Sequence, residues 1–236
     1  MHWRSASATH IGLVRSLNED AVLDRPDLGL WAVADGMGGH AQGDVASQSI
    51  VEALQRVRPA NDLCTLLEFA EHQILLANTH LLKLGHKGAD VIGSTVMALL
   101  AHGAHCAFLW AGDSRLYRWR RGWLQQLSTD HSKVTDYVKL GLISAHEANS
   151  HPDGNLITRA VGVTPALVLE CNMESLEAGD RFLLCTDGLT KHVEFRRLGP
   201  LLGEGPIDAI PAKLLDATLQ AGATDNVTVC VVEIAP

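Results

Sequence analysis

Residues 93–127 read GSTVMALLAHGAHCAFLWAGDSRLYRWRRGWLQQL. Four short apolar runs, Ser94 to Ala101, His105 to Ala111, Leu116 to Trp119 and Trp123 to Leu127, are divided by His102-Gly103, Gly112-Asp113 and Arg121-Gly122. Such spacing predicts strands joined by tight turns, an antiparallel meander, and disfavours a parallel α/β fold.

Upstream, Ala6 to Gly12 reads as a first strand and Leu28 to Ala34 as a second. Asp44 opens a helix-period stretch through Val57 that Pro59 stops,. From Asp62, an N-cap residue, Leu63, Leu66, Leu67, Ala70, Ile74, Ala77 and Leu81 follow helical spacing and Gly85 closes the run,. Downstream, strands are expected at Ala166 to Cys171 and Arg181 to Thr186. A helix follows from Ile207 to Gln220, then a final alternating strand from Asn226 to Ile234. After Thr129 the texture turns polar through Asn155, with helical patches at Val134 to Leu140 and Ala145 to Ala148. A polar insertion between strands predicts a flap, residues 132–155, beside an active site. Strands with helices set between them imply an α+β layered sandwich.

With 236 residues, 47% of them hydrophobic and 19% charged, the chain is expected to form one domain over residues 1–236,. A formal net charge of −8 argues against nucleic acid as a partner, since phosphate backbones are held by basic stripes,. The cluster Arg118, Arg120 and Arg121 reads as a solvated strand end. Five cysteines lack Cys-x-x-Cys spacing, which fits a reducing compartment,. The longest apolar stretch, Val91 to Ala101, is far short of the about 20 residues that span a bilayer,. A cytoplasmic protein with no membrane partner is expected.

Three apolar runs end in an aspartate beside a turn-former: Asp35-Gly36, Asp187-Gly188 and Asp225-Asn226. Any one alone is a common turn. Three that converge make an oxygen-rich pocket, which suits Mg²⁺ or Mn²⁺ rather than zinc. No cysteine has an arginine six positions later and no Gly-x-Ser-x-Gly elbow occurs, so covalent phosphatase and serine hydrolase chemistry lack support,. Direct attack by a water held between two ions remains.

The ordered set Arg15-Ser16-Leu17-Asn18-Glu19-Asp20, Ala34-Asp35-Gly36-Met37-Gly38-Gly39, Gly93-Ser94-Thr95, Ala111-Gly112-Asp113-Ser114-Arg115, Thr158-Arg159-Ala160-Val161-Gly162, Thr186-Asp187-Gly188-Leu189 and Thr224-Asp225-Asn226 resembles the metal-dependent protein phosphatase family, also called the protein phosphatase 2C family. The likeness runs from about residue 6 to 234 and is nearest the stand-alone bacterial branch. It implies a four-layer αββα sandwich of two antiparallel sheets flanked by helices, with a dinuclear centre at one end. It implies two Mn²⁺ or Mg²⁺ ions, Asp35 bridging them, the Gly36 carbonyl on the first, Asp187 and Asp225 on the second, and Glu19 reaching a metal-bound water. Arg15 matches the family's phosphate-holding arginine, and a guanidinium fork suits a tetrahedral dianion. Its alternative role is an ion pair with Glu19 or Asp20.

Two positions depart from the pattern. Met37 stands where some relatives carry a histidine as leaving-group acid, and a thioether donates no proton. Lys191 stands where many relatives have a carboxylate that, with the residue matching Asp113, supports a third metal. A lysine there repels a cation, and its ammonium is expected to pair with Asp113, the alternative being an exposed lysine at a helix start. The implied activity is hydrolysis of phosphoserine and phosphothreonine on proteins by a monomer, opposing a bacterial Ser/Thr kinase, with a forkhead-associated protein in the same pathway. The alternatives are a pseudophosphatase binding module, which should have lost a metal carboxylate, and a phosphatase of a sigma-factor regulatory protein.

Overall fold

The computed structural model describes residues 1–38, 42–85, 91–148 and 151–235. Its strands are β1 Trp3–His10, β2 Asp20–Arg25, β3 Leu30–Gly38, β4 Ile92–Ser94, β5 Val96–His102, β6 His105–Ala111, β7 Arg115–Arg120, β8 Trp123–Gln126, β9 Glu170–Ser175, β10 Arg181–Cys185 and β11 Val227–Ile234. Its helices are α1 Gly43–Gln55, α2 Leu63–Gly85, α3 Lys133–Lys139, α4 Ala145–Ala148, α5 Asp187–Thr190, α6 Phe195–Gly203 and α7 Ile210–Gln220. One sheet runs β1-β11-β10-β7-β8; the other runs β2-β3-β5-β6-β9, with β4 paired to the end of β3. Every named pairing is antiparallel.

The layering follows from the two-residue period of strands whose faces are both apolar. On β5, Val96, Ala98 and Leu100 meet α1 and α2, while Met97, Leu99 and Ala101 meet the opposite sheet. On β11, Cys230, Val232 and Ile234 face the inter-sheet core, and Val227, Val229 and Val231 face the helices on the other side. Three apolar layers therefore separate four structural ones, giving the expected αββα sandwich. Truncating a fully buried inter-sheet side chain such as Phe108 to alanine carries a cost of about 3–5 kcal/mol,.

Local signals explain the elements. Asp62 caps α2, its carboxylate accepting from the Thr65 N–H at 2.8 Å and the Thr65 hydroxyl at 2.8 Å,. The expected last helix is a 3₁₀ turn at Ile207–Ala209 followed by α7, with Pro211 in the first turn of α7 where a missing N–H costs nothing,.

The single meander is corrected. Strands β5 and β6 pair in one sheet and β7 and β8 in the other, so the chain changes sheets at Gly112-Asp113-Ser114. Gly112 permits the crossing: its φ is +112° and a Cβ would lie 2.6 Å from Thr95 Cβ,. The strand expected at Ala166 to Cys171 forms later, as β9, and β11 is buried along its whole length rather than alternating with solvent. The Arg118, Arg120 and Arg121 cluster is an ion-pair network, not a solvated strand end. Arg118 meets Glu174 at 2.9 Å, and Arg120 meets Asp180 at 2.6 Å and Glu177 at 3.0 Å. Of the flap, residues 149 and 150 lie outside the described residues; the rest carries α3 and α4, and its Asn155 reaches the cleft described next.

Candidate metal centre

At one end of the sandwich, between the sheets, lies a cleft of about 330 Å³. Arg15, Glu19, Asp35, Gly36, Asp113, Asp187, Lys191 and Asp225, all the positions singled out in sequence, line it. Four local devices bring them there.

Asp35 sits near the end of β3, locked through its backbone. Its N–H donates to Thr95 Oγ1 at 3.0 Å, and its carbonyl accepts from the Thr95 N–H and the Ser94 hydroxyl, each at 2.9 Å. Thr95 is held in turn by Ser114 Oγ at 2.7 Å. Glu19 places Oε1 3.1 Å from the Gly43 N–H, and so meets a free donor at the N-terminus of α1,. Asn226 ties the Arg15 loop to Asp225: its amide donates to the carbonyls of Ile11 and Leu17 at 2.9 Å each, and its Oδ1 accepts from the Glu19 N–H at 2.8 Å. His131 braces the Asp113 loop. Its Nδ1 accepts from the Gly112 N–H at 3.1 Å, its backbone N–H donates to the Gly112 carbonyl at 2.9 Å, and its ring stacks on Trp110. The Nδ1 contact puts the proton on Nε2, 3.1 Å from Glu170 Oε1. Nε2 lacks hydrogen-bond alignment there, so with a neutral ring this is a close polar approach rather than a hydrogen bond or an ion pair,.

The electrostatics are those of crowded anions. Burial pushes the Asp35 carboxyl well above the usual range, and Asp20, Asp187, Asp113 and Asp225 push it further,. Burial, then Asp187 and Asp130, raise Asp113 to about 7. Asp20, the cross-strand partner of Asp35, is pushed up to about 7 by burial although it accepts a 2.8 Å hydrogen bond from Thr186. Asp187 Oδ1 is buried without a hydrogen-bond partner. Buried oxygens that repel one another and lack donors fit hard divalent cations. Among the described residues no three His, Cys, Asp or Glu side chains are gathered closely enough to form a complete ligand set in this conformation. The Lys191 ammonium instead sits among them, 2.6 Å from Asp187 Oδ2 and 3.4 Å from Asp225 Oδ2.

One expected pairing, that of Lys191, and the partners of the alternative ion pair of Arg15 are corrected. Lys191 pairs with Asp187 and Asp225 rather than with Asp113, because one helical turn separates it from Asp187,. Arg15 pairs with neither Glu19 nor Asp20; its Nε lies 2.9 Å from Asp225 Oδ1.

The raised carboxyls fix how metal-free stability depends on pH. Between about pH 4, where these groups titrate in an unfolded chain, and about 7, the folded state holds more protons than the unfolded one, so stability falls as pH rises. His131, pushed down by burial, opposes this only near the top of the window. The chelated protein should melt at least about 5 °C lower at pH 7.5 than at pH 5.5, and Mn²⁺ should restore the loss at pH 7.5. A chelated protein more stable at pH 7.5 would contradict the charge crowding.

The protein phosphatase 2C family model matches residues 10–203. The chain belongs to the protein phosphatase 2C family. It is 36% identical over 239 residues to the serine/threonine protein phosphatase PstP of Mycobacterium tuberculosis, a match that covers 98% of this chain and 45% of that protein. The chain thus spans about half the length of that curated relative. Among solved structures, PppA, described as a key regulatory component of T6SS in Pseudomonas aeruginosa, superposes with a TM-score of 0.92 at 40% identity, covering 99% of this chain and 98% of that one. The catalytic domain of PstP in complex with two manganese ions superposes with a TM-score of 0.88 at 34% identity, covering 99% of both chains.

The residues that position the site carry no strong signal in the sequence. Thr95, Ser114 and Asn226 lie inside the motifs, but their residue types alone do not reveal a role there. His131 lies in none, and its only sequence signal is its place beside Asp130 at the head of the polar segment.

Proposed function

We propose that this protein phosphatase 2C domain is a metal-dependent phosphoserine and phosphothreonine protein phosphatase. One observation carries the reading: Asp35, Asp187 and Asp225 share a cleft with the guanidinium of Arg15. Asp35, the Gly36 carbonyl, Asp187 and Asp225 would hold two Mn²⁺ or Mg²⁺ ions, with Glu19 reaching through water, as the two manganese ions in the PstP structure support. Bound divalent ions supply charge neutralisation and lower the pKa of a water to near neutrality.

The chain's own groups do the rest. Arg15, about half exposed, presents a planar fork to a phosphate at the cleft mouth,. Thr95, Asn226 and His131 hold the acid-bearing loops rigid, which keeps the carboxylates aimed without reorganisation,. Asn155 at the end of the flap and Ile157 just beyond it line the same cleft, where a protein substrate would pass,. The substrates on this reading are phosphorylated proteins, with a Ser/Thr kinase and a forkhead-associated protein as pathway partners. The likeness to PppA supports a regulatory setting. No described helix is long and apolar enough to cross a membrane. All three carboxylates are present, which disfavours a pseudophosphatase.

The deciding assay compares phosphothreonine and phosphotyrosine peptides with Mn²⁺ and with chelator. Turnover of the phosphothreonine peptide alone, and only with metal, is expected; equal turnover of both peptides would overturn the substrate class. Arg15→Ala should raise KM for a small aryl phosphate about tenfold or more, since charged hydrogen bonds contribute about 1.5–3 kcal/mol. Bound metal should not change, and unaltered kinetics would reduce Arg15 to the ion pair with Asp225.

A further inference from the structure

Lys191 follows the single turn of α5, and its N–H donates to the Asp187 carbonyl at 2.8 Å, which fixes its backbone. Its ammonium lies 2.6 Å from Asp187 Oδ2 and 3.4 Å from Asp225 Oδ2, two oxygens assigned above to the second ion. Asp225 is held from its other side by Arg15, with Nε 2.9 Å from Oδ1 and Nη2 3.2 Å from Oδ2. No other lysine or arginine among the described residues pairs with these two carboxylates.

We propose that Lys191 is an internal counter-cation that competes with divalent metal for Asp187 and Asp225, and so sets the metal affinity of the enzyme. The inference rests on the two-ion reading. An ammonium and a divalent ion cannot share the same two oxygens at contact distance, because like charges that close repel strongly in a partly buried site. Metal entry therefore requires the lysine to leave. Its side chain is one-third exposed toward the open cleft, and its four-carbon stem turns without moving α5,. Lys191 thereby steadies the metal-free state, in which Asp187 Oδ1 already lacks a partner. Stabilising that state weakens ion binding by the same free energy.

Calorimetric titration of Mn²⁺ into the whole chain tests this, with Lys191→Met and Lys191→Arg beside wild type. Lys191→Met, which keeps the stem and loses the charge, should tighten the weaker Mn²⁺ site about tenfold or more. Lys191→Arg should bind Mn²⁺ as weakly as wild type. Thermal melts supply a second readout: chelated Lys191→Met should melt below chelated wild type and gain more from saturating Mn²⁺. Two Mn²⁺ ions in both proteins with affinities within threefold would overturn the inference and leave the two-ion reading intact. No Mn²⁺ binding by either wild type or Lys191→Met at millimolar concentration would overturn both.

Discussion

Asp35→Asn is expected to lower kcat by about 10³-fold or more, while the chelated variant melts at or above the temperature of chelated wild type at pH 7.5. The two effects have one cause. Asp35 is surrounded by Asp20, Asp113, Asp187 and Asp225, so its charge destabilises the metal-free fold,. Asparagine keeps the shape, and the backbone lock through Thr95 and Ser94 does not involve the carboxylate. What is lost is the negative charge that would hold the ions. Kinetics and melting of the same preparation check this, and a variant that loses activity and stability in parallel would show that Asp35 is structural.

Gly36→Ala is the second large effect. A Cβ at Gly36 would overlap the Gly43 carbonyl, and the Glu19 carbonyl, which accepts the Gly36 N–H at 3.0 Å, lies close on the same side. These obstacles are backbone, so β3 must move away from the start of α1. That movement separates Glu19 from Gly43 and turns the Gly36 carbonyl from the cleft. The melting temperature should fall by at least about 5 °C and Mn²⁺ binding should weaken at least about tenfold. Calorimetry of a variant with wild-type melting and metal affinity would remove Gly36 from the site.

Much of this was readable from residues. The strand-end aspartates were visible because each apolar run stops at an acid beside a turn-former, and α2 because its leucines keep helical phase. Strand β2 was missed because Asp20-Ala-Val-Leu-Asp-Arg has charged ends and only a short apolar centre. Helix α6 carries Gly199, Pro200 and Gly203, residues of low helix propensity that mask its pattern, although Gly203 is needed where a Cβ would lie 2.9 Å from the Trp119 ring,. The splitting of the meander lies beyond periodicity, which tells strand from helix but not one sheet from another. The hydrogen bonds of Thr95, Asn226 and His131 join segments far apart in sequence, so no local pattern announces them. Lys191 differs: its spacing of four from Asp187 was a legible ion-pair signal, and the expected partner Asp113 came from family register instead.

Anomalous diffraction from a crystal of this chain soaked in Mn²⁺ tests most directly whether the cleft carboxylates hold two divalent ions. Two manganese peaks should flank the Asp35 carboxylate, one of them beside Asp187 and Asp225, with the Lys191 ammonium moved off both aspartates. A cleft without manganese at saturating concentration, or ions bound with Asp35 left free, would contradict the two-ion reading.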